Sequence, residues 1–367
     1  MEGGKISMKL SETQQKILKV LWTQSKTTQT EISERINVDK STVSRNISKL
    51  FEYGILRKTG SLNPGPKGGR RMEIIEFNPG WRQLLGISVE QGELYAILTD
   101  FSGRAVREYS IFTKVEAENI VKKSLEVIEQ LHASKDKLLG IALAVPGVVE
   151  PEEGAVIFSE SLGMRNFPIK QMVEDELSVP CLVENDSNAA VARTFSWPSG
   201  LDGSTAYFLF SLPSDLSDLV GLGVGIGIEG KIFRGCHLLA GEVPIRVPIC
   251  SRSLPLKALK ESLESSSLDF SRFLEKASDI LSNILNLLDP CIAVIGGDVN
   301  LLPKDVVQDL VILIQEKTYM LERKQLKIVC DFDGLKTPAL GAVRAFLLRF
   351  MGDLEFANRV LSEVRDE

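Results

Sequence analysis

Apolar positions in the first 56 residues follow a helical period three times over. Ile17, Leu18, Val20, Leu21 and Trp22 form a broad apolar face behind the capping type Ser11 and predict a helix over residues 10–24. After the polar break of Ser25, Lys26 and Thr27, a shorter helix is expected over 28–36, with Ile32 and Ile36 inward. Within residues 38–56, Val43, Ile47 and Leu50 recur at i, i+4 and i+7, a narrow apolar stripe. Asp39 and Ser41 are both good N-cap types. The period beginning at Thr42 and Val43 favours Ser41, giving a third helix over 41–50. Two helices, a tight turn and a third helix predict a helix-turn-helix unit.

The other face of the third helix carries Lys40, Ser41, Thr42, Ser44, Arg45, Asn46 and Lys49, all with donors suited to phosphates or base edges. A solvated enzyme helix usually mixes Glu with its Lys, but no acid lies between Asp39 and Glu52. Two short β-rich runs, 55–59 and 72–77, then flank a loop holding Gly60, Pro64, Gly65, Pro66, Gly68 and Gly69. This predicts a β-hairpin wing, with Lys67, Arg70 and Arg71 placed for the phosphate backbone or minor groove. Asn78, Pro79 and Gly80 punctuate its end.

From residue 84 the pattern becomes that of an α/β body. Strands are expected at 84–89, 94–99, 105–112, 138–145, 179–184, 205–210, 220–228 and 291–295, and helices over 117–131, 169–177 and 273–288. This suggests two α/β units around a cleft. Length divides the chain into residues 1–80 for the DNA-binding unit, 81–193 for a first lobe and 194–349 for a second; a C-terminal helix at about 350–367 could also pack on the first lobe. The net charge of −6 conceals an asymmetry: residues 1–80 hold 14 Lys and Arg against 8 Asp and Glu, and the remainder holds 29 against 41. A basic head on an acidic body fits double-stranded DNA as the head's partner. No apolar run approaches the length of a membrane helix, and no signal peptide is evident. The five cysteines, Cys181, Cys236, Cys250, Cys291 and Cys330, form no CxxC pair, so a cytoplasmic protein without a metal site is expected.

Two segments of the body carry candidate chemistry. Gly221, Gly223, Gly225 and Gly227 alternate with Leu, Val and Ile, leaving one strand face bare for a ligand or another backbone. Residues 225–230 fit G-x-G-x-x-G formally, but no helix opens there. Asn185 and Asp186 end an apolar strand, where a carboxylate in an α/β fold faces the ligand crevice. Asp186 could bind a sugar hydroxyl, act as a general base, or cap the next helix. Glu242 is expected to point into the same cleft. His132 and His237, the two histidines, receive no role.

These segments together resemble the ROK family of sugar kinases and sugar-responsive repressors of the xylose and N-acetylglucosamine type. The resemblance rests on KGGRRMEIIEFNP, AVPGVVEPEEG, PCLVENDSNAA, GLGVGIGIEGKIFRG, AGE and PCIAVIGGDVN, in that order along nearly the whole chain. It implies an α/β fold: an N-terminal winged helix-turn-helix followed by a two-lobed actin/hexokinase-like (ribonuclease H-like) body. It also implies sugar contacts from Asn185, Asp186 and Glu242. In a kinase, Asp186 would be the catalytic base, and Gly221, Gly223, Gly225, Gly296 and Gly297 would lie along ATP with its Mg.

The departures separate the branches. The kinase segment D-I-G-G-T-K is here Ser88, Val89, Glu90, Gln91, Gly92 and Glu93, which brings two carboxylates toward any phosphate. The G-T-G is Gly221, Leu222 and Gly223, without its hydroxyl. The His of G-E-x-G-H falls at Ile245, the zinc-binding cysteines reduce to Cys250, and Ser161 replaces a family Asn. The expectation is therefore a sugar-responsive repressor, homodimeric or a higher homo-oligomer, without cofactor or metal. The alternatives are a ROK sugar kinase with a DNA-binding head, and a constitutive DNA binder whose body only dimerises.

Overall fold

The computed structural model describes residues 8–62, 72–90, 92–195, 203–243, 247–258 and 268–363. Its head begins with α1 (Glu12–Gln24) and α2 (Gln29–Ile36), each opened by a capping box, Ser11 with Gln14 and Thr28 with Glu31. The recognition helix α3 (Lys40–Glu52) buries Val43, Ile47 and Leu50, as their spacing demands. Its N-cap is Asp39 rather than Ser41. The Asp39 carboxylate accepts from the Thr42 amide at 2.9 Å and from the Ser41 hydroxyl at 2.6 Å. These bonds hold its pKa below the usual carboxylate range. A carboxylate also complements the positive end of the helix dipole, which a hydroxyl does not.

The wing is the antiparallel pair β2 (Leu56–Leu62) and β3 (Met72–Phe77). Lys67, Arg70 and Arg71, expected on the wing's loop, lie outside the described residues. The expected polar break contains a third strand, β1 (Lys26–Thr27), paired with β3 and too short to show a period.

The first lobe is a five-stranded sheet of β4 (Gln83–Val89), β5 (Glu93–Asp100), β6 (Ala105–Phe112), β7 (Leu138–Val145) and β11 (Cys181–Asn185), in the order β11-β7-β4-β5-β6. Strands β4, β7 and β11 run parallel, and β7 and β11 are wholly buried, which explains their unbroken apolar runs. Helices α4 (Ile120–Gln130) and α5 (Ile169–Leu177) share a core with one face of this sheet. A small sheet of β8 (Val148–Glu150), β9 (Ala155–Ser159) and β10 (Met164–Phe167) joins the lobe beside the cleft. The second lobe orders its strands β14-β13-β12-β15-β16: β12 (Ser204–Ser211), β13 (Gly221–Ile228), β14 (Lys231–Ile232), β15 (Ile292–Gly297) and β16 (Lys327–Cys330). Its helices are α7 (Ser271–Leu288), α8 (Lys304–Lys317) and the short α9 (Leu321–Lys324).

Two helices lie between the sheets: α6 (Asp186–Thr194) and α10 (Lys336–Gly352). Division by sequence puts α10 in the second lobe, yet it packs on β4, β5, β7 and α6. It buries 11 of its 17 residues, and a helix apolar nearly all round has no face to give to solvent. The chain breaks at Asp353, and α11 (Leu354–Glu363) then turns back toward the head. Asn358 on α11 exchanges hydrogen bonds of 2.7 and 3.2 Å with the backbone of Leu10. One apolar core consequently runs from α1 and α3 through β3 and α10 to α11. Edge-to-face contacts of Phe101 with Phe77 (5.6 Å), Trp81 (4.7 Å) and Phe350 (6.2 Å) carry it across the head–body boundary.

Candidate functional site

The outward face of α3 presents Lys40, Ser41, Arg45, Ser48 and Lys49 to solvent, with Thr42 and Ser44 half-buried. Arg45 leans on the Thr42 hydroxyl at 3.2 Å and is otherwise displayed. Asn46 is differently placed. It donates to the Thr42 carbonyl (2.9 Å) and accepts from the Ser11 hydroxyl (3.3 Å), so it clamps α3 to the start of α1. Ser48, three residues beyond Arg45, joins the exposed face; the helical period alone could have identified it.

In the body, β13 delivers the glycine face. The bare face admits a backbone. A Cβ at Gly225 would lie 2.0 Å from the Ser187 carbonyl oxygen, and one at Gly223 would lie 2.9 Å from Ser187 Cβ. Gly227 does the same for the Phe195 ring, at 2.5 Å. The alternating glycines thus let α6 lie flush on the second lobe, and α6 brings its first residues to the cleft. Gly296 is filled in turn by the Tyr207 hydroxyl, and Gly297 needs its positive φ of 77°. Gly221 packs on Ser211. After Gly230 the chain turns into β14, without the helix a dinucleotide fingerprint needs.

Asn185 is the N-cap of α6 and Asp186 its first residue. The Asn185 carbonyl accepts from the Asn188 amide (3.0 Å) and the Ser187 hydroxyl (2.6 Å). Its amide donates to the Gly147 carbonyl (2.9 Å) and to Asp186 Oδ1 (3.0 Å). Those four bonds exhaust its capacity, so Asn185 holds the site's shape. Asp186 also accepts from the Ser187 amide at 2.6 Å. Gly223 sits against Asp186 and forms a β-bridge with Glu242, which brings the two predicted carboxylates to one place. Gly241, at φ 91°, makes this possible, since a Cβ there would lie 1.8 Å from the Val224 carbonyl. Burial, and then the Glu242 charge, push the Asp186 carboxyl up to about 7; burial raises Glu242 too.

Sequence reasoning missed the pair beneath this site. Glu184, buried in β11, accepts from Arg234 and also from the backbone N–H of Asn185 (3.0 Å) and the side-chain amide of Asn188 (3.3 Å). Arg234 stands in the loop that leads from β14 to Glu242, so the ion pair ties that loop to β11. A charged residue inside an apolar strand was the available signal.

At the far end of the cleft, Glu93 opens β5 and senses the charge of Asp298, just past Gly297. Burial raises both carboxyls, and Asp298 accepts from the Leu212 amide at 2.9 Å. Ser88 is buried in β4 and Leu222 lies in the second lobe's apolar core. Gln91 and Ile245 lie outside the described residues. Among the described residues, no three His, Cys, Asp or Glu side chains converge as metal ligands. No helix among them is long and apolar enough to cross a membrane.

A winged head fused to a two-lobed body with a carboxylate-lined cleft defines a class, and comparison identifies it. Residues 84–244 match the ROK family, and residues 10–57 match winged helix-turn-helix DNA-binding domains. The protein carries a ROK family domain behind an N-terminal winged helix-turn-helix. It is 30% identical over 233 residues to a putative xylose repressor of Caldicellulosiruptor sp. (strain Rt8B.4), which covers 62% of this chain and 56% of that one. The match thus spans little more than half of that relative's length. The fold is that of a ROK family transcriptional regulator homologous to the E. coli MLC protein: TM-score 0.66, 16% identity, covering 96% of this chain and 99% of the other. The body alone resembles the ROK hexokinase of Thermus thermophilus, with TM-score 0.53 and 18% identity over 71% of this chain and 96% of that one.

Proposed function

We propose that this protein is a sugar-responsive transcriptional repressor. The observation that carries the reading is the exposed face of α3, free of acid from Lys40 to Phe51 and mounted on a head whose core is continuous with the sugar cleft. Arg45, Ser41 and Ser48 would read base edges in the major groove, Lys40 and Lys49 would hold phosphates, and the wing would add Lys67, Arg70 and Arg71. A single winged helix reads few base pairs, so a homodimer on a two-fold operator is expected. The effector is a monosaccharide whose hydroxyls bond Asp186 and Glu242, with Asn185 fixing their geometry. Five free cysteines and a DNA partner fit a reducing, cytoplasmic setting.

A kinase is the second reading. A carboxyl brought up to about 7 is poised as a general base toward a sugar hydroxyl. Against it stand Glu93 and Asp298, two carboxylates at the end where ATP phosphates would have to sit, with Leu222 in place of a phosphate-binding hydroxyl. The test is fluorescence anisotropy on DNA from upstream of the gene, repeated with a panel of monosaccharides, then with ATP while ADP is monitored. Specific binding weakened by one sugar without ADP release supports the repressor. Sugar-dependent ADP release establishes the kinase instead, and binding that no sugar alters leaves only constitutive repression.

A further inference from the structure

Helix α6 lies between the two lobes and reaches the cleft. Its first residue, Asp186, lies in the effector cleft. Its flank lies on the bare glycines of β13, with the Ser187 carbonyl over Gly225 and the Phe195 ring over Gly227. Its opposite flank meets α10, where a Cβ on Gly341 would lie 1.8 Å from the Ala189 carbonyl oxygen. Backbone pressed on backbone has no rotamers with which to absorb a displacement, so α6 moves as a rod when the lobes close.

A side chain of α10 links the far end of that rod to the head. Arg344 of α10 donates to the carbonyl of Phe195, immediately beyond α6, at 2.7 Å. The same guanidinium lies over the indole of Trp22 in α1, 4.3 Å from the ring centroid. Trp22 and Lys19 of α1 also border a cavity of about 700 Å³, whose other walls include Glu184, Arg234 and Leu348. The indole thus meets Arg344 and borders this cavity, while the inner face of α1 packs in the core shared with α3 and α10.

We propose that Arg344 transmits effector closure to the DNA-binding head, coupling the C-terminal end of α6 to Trp22 of α1. The proposal rests on the effector reading of Asp186 and Glu242. A sugar held by those carboxylates shifts the start of α6 together with β13, on which it lies. The rod carries Phe195 with it, Arg344 keeps its bond, and Trp22 tilts α1 and with it α3. Arg344 touches neither DNA nor sugar; it is a positioning residue, and its signature is lost coupling with both bindings kept.

The test uses the full-length protein and the variants Arg344→Lys, Arg344→Met and Trp22→Leu. For each, sugar affinity is measured by calorimetry and DNA affinity by anisotropy, with and without D-xylose, D-glucose or N-acetyl-D-glucosamine. The expected result is sugar affinity and sugar-free DNA affinity within about threefold of wild type, while the sugar-induced change in DNA affinity shrinks tenfold or more. Arg344→Lys keeps the charge but loses the planar stack, so it should lose coupling with Arg344→Met. Should either Arg344 variant unfold, Trp22→Leu tests the same contact from the other side. Full sugar-induced release in the folded variants overturns the proposal. A wild-type protein that binds DNA but responds to none of the sugars overturns the effector reading itself, and the proposal with it.

Discussion

Asp186→Asn should stabilise the protein, and increasingly so as pH rises. In the folded chain the Asp186 carboxyl is pushed from 3.8 to about 7 by burial and by the facing Glu242. Below pH 4 both the folded and unfolded chains hold the proton, and Asp186 contributes nothing. Between pH 4 and 7 the unfolded chain ionises while the folded chain keeps its proton, so folding weakens as pH rises; above 7 the penalty is constant. At about 1.4 kcal/mol for each pH unit, the full penalty is about 4 kcal/mol. Asp186 is only half-buried, and solvent screening reduces this to about 2–4 kcal/mol. Asparagine carries no charge, and its carbonyl can still accept from the Ser187 amide and Asn185. Urea denaturation of both proteins at pH 5 and pH 8.5 reads the difference. The advantage of the variant should grow by about 2 kcal/mol between the two, that being the part of the titration they bracket. An equal difference at both pH values would refute the raised carboxyl and the close approach of Glu242 that helps to raise it. The same variant should lose sugar binding, the familiar exchange of stability for function at a strained site.

Three further substitutions test other parts of the reasoning. Arg45→Ala should weaken operator binding by about 1–3 kcal/mol without changing the melting temperature; undiminished affinity in an anisotropy titration would remove Arg45 from the base-reading set. Gly225→Ala sets a Cβ 2.0 Å from a carbonyl oxygen and should cost about 3 kcal/mol or more in chemical denaturation, because backbone on both sides must part. Arg234→Met leaves the Glu184 carboxylate buried without its cation, at about 3 kcal/mol of stability, and should loosen the loop that carries Glu242. A protein as stable as wild type would show that the bonds from Asn185 and Asn188 suffice for the carboxylate.

Local patterns carried much of the architecture. The i, i+4, i+7 spacing of Val43, Ile47 and Leu50 dictates which face of α3 is buried, and its polar composition dictates what the other face can meet. Strand β7 and helix α5 have the bounds their periods predict, because a continuous apolar run or a clean amphipathic stripe needs no distant partner to be read. Asp186 and Glu242 were legible as candidates through strand-end position and family resemblance.

What tertiary structure decided were the choices between partners. Asp39 outcompetes Ser41 as the cap through its charge and two oxygens. Asn185 and Asn46 look like free polar ligands in the sequence, but neighbours far along the chain occupy them: Gly147 for one and Ser11 for the other. The glycines of β13 announce a close approach without saying of what, and only the folded chain supplies α6. The place of α10 was equally hidden, since a helix apolar on all sides fits any interior. Periodicity reports how a segment meets an apolar or aqueous surrounding. It does not report which segment forms that surrounding, and here the choice determined whether head, cleft and C-terminal helices form one connected body.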